Sequence, residues 1–121
     1  MLKQCYRLKK NSAFTATYKA RNIISDQFFV IYLGRKKNDE DLFTKVGFVV
    51  SKKFHKRAVK RNKIKRLMRE SYRLLQKDFL LDPFNNYLSL IIVPKTNALG
   101  LDINVVKNSL TTLAAKASFK D

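Results

Sequence analysis

Residues 51–73, SKKFHKRAVKRNKIKRLMRESYR, hold the strongest pattern in this chain. Eleven of these twenty-three residues are Lys or Arg, and Glu70 is the only acid among them. One set of residues nevertheless recurs at steps of three and four, which is typical of one side of a helix. That set consists of Ile64, Leu67, Met68, Ser71, Leu74 and Leu75. At roughly 100° per residue, the opposite side gathers Asn62, Lys65, Arg66, Arg69, Arg73 and Lys77. The pattern predicts a helix that docks through one stripe and presents cations on its other face.

Two other interpretations of this helix are an ordinary solvated face and a membrane-surface or calmodulin-type amphipathic helix. A solvated helix normally mixes both charge signs to gain i,i+4 pairs, whereas Glu70 is the only acid here up to Tyr72. Membrane-surface helices usually carry bulky aromatic residues on the apolar face, and they need no Asn within the basic run. Both observations favour a surface that serves a polyanionic partner.

The composition of the whole chain points to the same kind of partner. With 121 residues, 45% of them hydrophobic, the chain suits one domain with a modest core, and we predict a single domain over residues 1–121. Its 26 basic and 9 acidic residues give a formal net charge of +17, which destabilises a compact state through self-repulsion. Nucleic acid is the best candidate to relieve that repulsion, because neutralised phosphates release counterions.

Cysteine usage and hydropathy indicate which compartment and which membrane features to expect. Cys5 is the only cysteine, so no intrachain disulfide and no cysteine-based zinc site is possible, and a reducing cytoplasm is expected. No run of about eighteen apolar residues exists that predicts a membrane span. The first ten residues, MLKQCYRLKK, are positively charged but lack the apolar core of a secretory signal.

The remaining segments predict an order of helix, up to three strands, basic helix, strand and helix. Helices are expected at 8–21, from the basic run to about 80, and from Asp102 to about 117; strands are expected at 23–24, 28–33, 45–50 and 88–93. Residues 34–41, GRKKNDED, are predicted to form a hairpin loop before a returning strand. Gly47 in that strand marks either a close backbone approach or a bulge. This order is typical of an α+β two-layer sandwich with one sheet of about four strands.

Local signals assign caps and faces within these elements. Asn11 or Ser12 is predicted to cap the first helix, with Leu8 stapled onto its first turns. Asp102 is predicted to cap the last helix, whose buried side takes Val105, Val106, Leu110, Leu113 and Ala114. Alternation puts Phe28, Val30 and Tyr32 on one face of the second strand and Phe29, Ile31 and Leu33 on the other.

The chain offers no credible catalytic constellation of its own. His55 is the only histidine, and the surrounding cations favour its neutral form, so a surface or RNA-contacting role is expected for it. Asp39, Glu40 and Asp41 cluster in a loop beside two lysines, and the glycines do not form a phosphate-binding motif.

Residues 58–73, AVKRNKIKRLMRESYR, resemble the signature of the protein subunit of bacterial ribonuclease P, with its Arg-Asn-x-x-Lys-Arg core followed by Arg-Glu-Ser. Residues 51–53 match the end of the strand that leads into that signature. The similarity covers nearly the whole chain, including residues 7–14, 27–33, 45–48 and 91–95. Two departures are Phe54-His55, where many members have glycine in a turn, and Tyr18, where phenylalanine is common.

The resemblance implies a four-stranded sheet in the order α-β-β-β-α-β-α, with a left-handed β-α-β crossover around the basic helix. General rules for such crossovers predict the right-handed form instead. It also implies a tRNA 5′-maturation endoribonuclease, a hydrolase whose RNA subunit holds Mg²⁺ and cleaves precursor tRNA. No catalytic or metal-binding residue is therefore expected in the protein. The expected partners are ribonuclease P RNA and precursor tRNA, with no membrane and no protein oligomer.

Two groups of residues are candidates for contact with these RNAs. The catalytic RNA is expected to bind Lys52, Lys53, Arg57, Lys60, Arg61, Asn62, Lys63, Lys65, Arg66 and Arg69. Asn62 has the alternative role of fixing the helix start. The family's aromatic residues at the positions of Phe14 and Tyr18 line a cleft for single-stranded RNA. The 5′ leader is expected to bind there, to Phe14, Tyr18, Tyr32 and Lys95, although burial in the core is the competing interpretation for each ring.

Two further hypotheses remain open at this point. A ribosomal protein or ribosome assembly factor shares this size and basicity, and a free-standing nuclease shares the substrate class. The RNA that co-purifies separates the first from the ribonuclease P hypothesis, and catalytic assays with and without added RNA separate the second.

Overall fold

The computed structural model describes residues 2–41 and 43–119. Three α-helices and four β-strands follow one another in the predicted order, and short 3-10 turns lie at 4–6, 82–86 and 96–98. The elements are α1 (Asn11–Lys19), β1 (Asn22–Ser25), β2 (Phe29–Leu33), β3 (Lys45–Phe48), α2 (Ala58–Lys77), β4 (Ser89–Pro94) and α3 (Ile103–Ser118). The α+β class and the four-stranded mixed sheet are confirmed.

The four strands lie in the order β1-β2-β4-β3. β2 pairs antiparallel with both β1 and β4, whereas β3 pairs parallel with β4. Because β3 and β4 are parallel neighbours, α2 forms a β-α-β crossover between them. The left-handed course of that crossover stays the prediction made from the resemblance.

The predicted hairpin between β2 and β3 is wrong, because β4 lies between these two strands. The backbone of the segment after β2 bonds instead to the segment that leads into β4. The Gly34 N–H donates to the Ser89 carbonyl oxygen over 2.8 Å, and the Lys37 N–H donates to that of Asn86 over 2.9 Å. Local composition predicted a turn correctly but held no information about this distant partner.

The predicted alternation along β2 is confirmed, since Phe29, Ile31 and Leu33 are fully buried while Val30 and Tyr32 are half-buried. The buried side faces the core, where Tyr72 of α2 packs edge-on against Phe48 of β3 at 5.9 Å between ring centroids. Helices α2 and α3 together close this face of the sheet. Their buried residues include Ile64, Met68, Tyr72, Leu75, Val106, Leu110, Leu113 and Ala114.

Helix α1 is shorter than predicted and lies alone on the other face of the sheet. Residue 8 does not belong to it, because the Leu8 N–H donates to the Val46 carbonyl oxygen over 3.0 Å and holds this part of the chain extended beside β3. The predicted caps are wrong, since Asn11 and Ser12 lie inside the helix and Lys10 precedes it without a side-chain cap. Leu8 is buried as expected, although its neighbour is Gly47 of β3.

Helix α2 ends at Lys77, three residues before the predicted end. Phe79 takes a φ of 60°, and its N–H donates to the Gln76 carbonyl oxygen over 3.1 Å. The Leu80 N–H reaches back to the carbonyl oxygen of Leu75 over 3.0 Å. These two bonds form a Schellman motif, in which a residue in the left-handed region reverses the chain and stops the helix. At α3, the predicted cap is confirmed, because the Val105 N–H donates to Oδ1 of Asp102 over 3.0 Å.

Candidate RNA interface

The basic helix α2 presents most of its cations to solvent, and few of them are neutralised by acidic side chains of the described residues. Its buried side takes Ile64, Met68, Ser71, Tyr72 and Leu75, so the predicted stripe is confirmed with Tyr72 added and with Leu67 and Leu74 at its half-buried margin. Within the described residues, Glu70 pairs with Arg73 over 2.5 Å, and the other cations of residues 51–73 form no ion pair. The hydrogen bond from Arg73 holds the pKa of Glu70 below its usual range, so the pair remains charged.

Most predicted contacts to the catalytic RNA lie on this exposed surface. The exposed members are Lys52, Lys53, Arg57, Lys60, Asn62, Lys63, Arg66 and Arg69, and the half-buried members are Arg61 and Lys65. Helix α2 begins at Ala58, so the alternative role of Asn62 in fixing the helix start is wrong. Asn62 lies one turn inside the helix, on its cationic side.

Arg61 has a structural task that the sequence did not reveal. Its Nη1 donates to the carbonyl oxygens of His55 and Lys56 over 2.9 and 2.8 Å. Nδ1 of His55 in turn accepts from the Arg57 N–H over 3.0 Å. These bonds satisfy backbone groups in the turn before α2, where Phe54 is buried in the core. A guanidinium has five N–H donors, so Arg61 retains several for a phosphate.

Helix α2 carries cations along both of its flanks. Lys65 and Arg69 line a cavity of about 250 Å³ that they share with Arg7 and Phe14. Lys63 and Arg66 line a second, more apolar depression whose floor includes Leu101 and Ile103. The first cavity adjoins α1, so the cationic surface continues to the edge of the predicted leader site.

The predicted leader residues of α1 and β2 are brought together. Tyr18 packs edge-on against Tyr32, with ring centroids 4.8 Å apart, and Tyr18 keeps 39% of its surface exposed. Partial burial, with a smaller effect of Tyr32, raises the pKa of the Tyr18 hydroxyl, so it stays a neutral donor at physiological pH. The two rings therefore form one partly exposed aromatic surface between α1 and β2, here called the groove.

Phe14 occupies a more enclosed position than Tyr18. A Cβ atom placed on Gly47 would lie 2.6 Å from Cε1 of Phe14, so the glycine allows the ring to rest on β3. This close approach is one of the two predicted meanings of Gly47, and the regular pairing of Gly47 with Ile91 rules out the bulge. Phe14 remains half-buried, which leaves part of its ring accessible beside the cavity that Lys65 lines.

Lys95 lies at the far end of the same sheet face. Its backbone N–H bonds to Phe28, four residues along the strands from the Tyr32–Ile91 pair, which corresponds to about 13 Å. Its Nζ donates to the Asp26 carbonyl oxygen over 2.6 Å, so one of its three donors is engaged. The side chain therefore marks the end of the groove.

The floor of the groove was only partly predicted. Val30 was expected on the face of Tyr32, and it lies there half-buried. Val93 joins it because β4 pairs with β2 at that position, and Ile23 of β1 lies beside Tyr32 with 46% of its surface exposed. The pairing of strands distant in sequence creates this floor, so no local signal identified Val93.

Known proteins match this arrangement along nearly the whole chain. A family model described as Ribonuclease P matches residues 2–118. The chain belongs to the ribonuclease P protein family. It is 34% identical to the ribonuclease P protein component of Macrococcus caseolyticus over 109 residues, covering 90% of this chain and 87% of that protein. It is 38% identical to the Exiguobacterium sp. protein component over 116 residues, covering 96% and 93%.

Solved structures agree with the family membership. The RNase P protein of Staphylococcus aureus superimposes with a TM-score of 0.74 at 29% identity, covering 96% of this chain and 98% of that one. The Thermotoga maritima RNase P protein gives 0.73 at 25% identity, covering 91% and 96%. Membership makes the chain an RNA-binding subunit of ribonuclease P, an assembly of tRNA processing, with ribonuclease P RNA as its partner.

Within residues 2–41 and 43–119, no helix combines the length and the apolar character that crossing a membrane requires. In the same part of the chain, no three His, Cys, Asp or Glu side chains come together as a set that could hold a metal ion.

Proposed function

We propose that this chain binds ribonuclease P RNA through the cationic face of α2 and the 5′ leader of precursor tRNA through the groove between α1 and the sheet. In this proposal residues 1–121 act as one RNA-binding domain, and the RNA subunit carries the active site and its Mg²⁺. The single thiol, Cys5, favours a reducing compartment, and we assign the assembly to the cytoplasm.

The observation that carries the proposal is the half-exposed Tyr18–Tyr32 pair, in a chain whose basic helix has one ion pair, Glu70–Arg73, among the described residues. Unpaired bases stack on aromatic rings while cations follow the phosphate backbone, so an aromatic groove bordered by lysine and arginine suits a single strand. A fully buried aromatic pair offers no such surface. The remaining exposure of Tyr18 distinguishes the groove from the core.

Charge explains why an RNA enzyme gains from such a subunit. The catalytic RNA and the precursor tRNA are both polyanions and repel one another. A chain of net charge +17 placed between them screens that repulsion. The protein then contributes binding and orientation, and bond cleavage remains with the RNA.

The test compares precursor and mature tRNA as ligands of the reconstituted holoenzyme at low Mg²⁺. Tyr32→Leu and Tyr18→Leu are expected to weaken precursor binding by about 1–3 kcal/mol each and to leave mature tRNA binding nearly unchanged, since only the precursor carries a leader. Phe119→Leu, at a ring that is 85% exposed and distant in sequence from the groove residues, is the matched control. Equal losses for both ligands would reject the leader groove.

A second measurement tests the α2 surface independently. Arg66→Ala is expected to reduce the slope of log affinity for ribonuclease P RNA against log salt by roughly 0.7–0.9, because one phosphate contact is lost. Arg35→Ala is the matched control, since Arg35 is exposed but paired with Asp41 over 3.1 Å in another loop. An Arg66→Ala slope equal to that of the unmodified chain rejects the contact.

A further inference from the structure

A second aromatic pair lies outside the groove and outside α2. Tyr6, in the turn before α1, packs edge-on against Phe43, just before β3, with ring centroids 5.3 Å apart. Phe43 keeps 44% of its surface exposed and Tyr6 is half-buried. Tyr6 packs against the edge of the buried core, whereas the exposed ring of Phe43 is not among the residues that form the core.

Cations lie close to this pair in the chain and line a neighbouring cavity. That cavity, of about 400 Å³, is lined by Cys5 and Arg7, the chain neighbours of Tyr6, and by Lys9, Lys10 and Lys45. Among the described residues that line this cavity there is no acidic side chain. Tyr6 lies next to Arg7 in the chain, and Phe43 lies two residues before Lys45, so rings and cations form one surface.

The charge of the neighbouring segments strengthens this arrangement. Residues 1–25 contain six basic residues and no acid. The loop on the other side, residues 35–41, contains three basic and three acidic residues, so its formal charge is zero. Asp41 in this loop is held by Arg35 and by the Asn38 N–H, and the hydrogen bond from the Asn38 backbone lowers its pKa. The surface around the aromatic pair is therefore cationic overall.

The register of the sheet separates this surface from the leader groove. Helix α1 crosses the sheet at Gly47, which Phe14 touches, and at Tyr32, which Tyr18 touches. Phe43 lies four residues before Gly47, about 13 Å along the strand direction, on the side away from Val30 and Lys95. The Tyr6–Phe43 pair thus lies on the opposite side of α1 from Val30 and Lys95, whereas the Tyr18–Tyr32 pair lies at α1 itself.

We propose that the chain has a second binding site for single-stranded RNA, here called the Tyr6–Phe43 patch. The patch consists of Tyr6, Phe43, Lys9, Lys10 and Lys45. Exposed rings interleaved with cations provide what an unpaired strand recognises, namely faces on which bases stack and charges that follow phosphates. The patch does not depend on the leader groove or on the assignment of α2. It extends the RNA-binding surface of this chain across α1.

A tryptophan placed in the patch reports directly on base stacking. The chain has no tryptophan, so Phe43→Trp gives a single tryptophan, whose emission can be excited separately from that of the five tyrosines and whose ring can keep the aromatic contact with Tyr6. A single-stranded oligonucleotide of about 12 nucleotides, within the usual range of such sites, is expected to quench its emission. Phe119→Trp is the control, and no comparable quenching is expected there. Equal quenching by an RNA duplex, or RNA binding seen by anisotropy without quenching, overturns the proposal.

Affinity measurements separate the patch from the groove. Phe43→Leu is expected to weaken binding of the single-stranded oligonucleotide about 5- to 150-fold, the range of one lost stacking contact. Tyr32→Leu alters the groove, and the two losses are expected to multiply for a strand that occupies both sites, because the two sites share no contact. If Phe43→Leu changes nothing while Tyr32→Leu weakens binding, the patch is rejected and the groove stands. If Phe43→Leu lowers the thermal midpoint, the Phe43→Trp titration decides.

Discussion

The two faces of the sheet are built from the same strands but differ in their cover. One face is closed by α2 and α3, and the side chains of Phe29, Ile31 and Leu33 that point to it are fully buried. The other face is crossed by α1 alone, a helix of nine residues, and its Val30 and Tyr32 remain half-exposed. Adjacent residues of β2 thus enter two different environments.

Under the proposed function, this difference divides stability from binding between the two faces of the sheet. The closed face buries apolar area at a gain of about 25 cal/mol per Å², and this burial must offset both chain entropy and the self-repulsion of the net charge. The open face leaves apolar and aromatic surface accessible at a cost in stability. Because side chains alternate along a strand, one strand serves both purposes.

The largest expected effect tests the division directly. Leu110 of α3 is fully buried under the closed face, and Leu110→Ala is expected to lower the free energy of unfolding by about 2–5 kcal/mol. Val93→Ala, on the half-buried floor of the open face, is expected to cost under about 1 kcal/mol because part of its side chain already contacts water. Denaturant titration of both variants measures the contrast, and equal losses contradict it.

A second variant tests how α1 is seated on the open face. Gly47→Ala places a Cβ atom 2.6 Å from the Phe14 ring, and overpacking of this kind typically costs about 1–3 kcal/mol. The loss is expected to shrink in a Phe14→Leu background, because leucine lacks the ring atoms that clash. A double-mutant cycle by thermal unfolding measures this coupling. Purely additive effects of the two substitutions would show that the ring does not press on the glycine.

Sequence patterns predicted the elements well because their causes are local. The three- and four-residue steps of α2, the alternation in β2 and the Asp102 cap all act within a few residues, and all three are confirmed. The candidate site stays a prediction, although the sequence anticipated part of its geometry. Tyr18 and Tyr32 came from the resemblance and from the alternation, and the structure brings their rings into contact.

The features that sequence patterns missed depend on distant partners. The pairing of β4 with β2 placed Val93 on the groove floor and replaced the predicted hairpin. The early end of α2 depends on Phe79, which takes the left-handed conformation that glycine usually supplies at the end of a helix. The hydrogen bonds from Arg61 to the carbonyl oxygens of His55 and Lys56 form only because the turn before α2 folds back onto that side chain. None of these has a periodic signal.

Alkaline titration compares tyrosines from the two faces. Burial raises the pKa of the Tyr72 hydroxyl, and partial burial raises that of Tyr18. Because both folded-state pKa values lie above the unfolded value of about 10, each phenol favours folding at neutral pH and loses that contribution as pH rises beyond 10. Tyr72→Phe is therefore expected to flatten the fall of the thermal midpoint between about pH 9 and 11.

Tyr18→Phe provides the comparison for this titration. Its hydroxyl lies on the open face, where water still reaches it, so its removal is expected to flatten the same curve less than Tyr72→Phe. Lysine titration in this range affects all variants alike and cancels in the difference from the unmodified chain. A larger effect for Tyr18→Phe would place the greater desolvation on the open face and reverse the comparison.

The smallest expected effect concerns how the helices on the two faces end. Phe79 after α2 and Arg21 after α1 both take a positive φ, 60° and 53°. The left-handed conformation costs a non-glycine residue roughly 1–2 kcal/mol, while glycine adds about 0.5–1 kcal/mol of unfolded-state entropy. Phe79→Gly is therefore expected to raise the free energy of unfolding by about 0.5–1 kcal/mol, since 75% of the Phe79 side chain is exposed and little packing is lost.

Arg21→Gly is expected to give a similar gain if the chain unfolds in one step, as most small domains do. Denaturant titration and amide exchange are measured together. If Arg21→Gly increases the amide protection of α1 but leaves the free energy of global unfolding unchanged, the helix on the open face unfolds on its own.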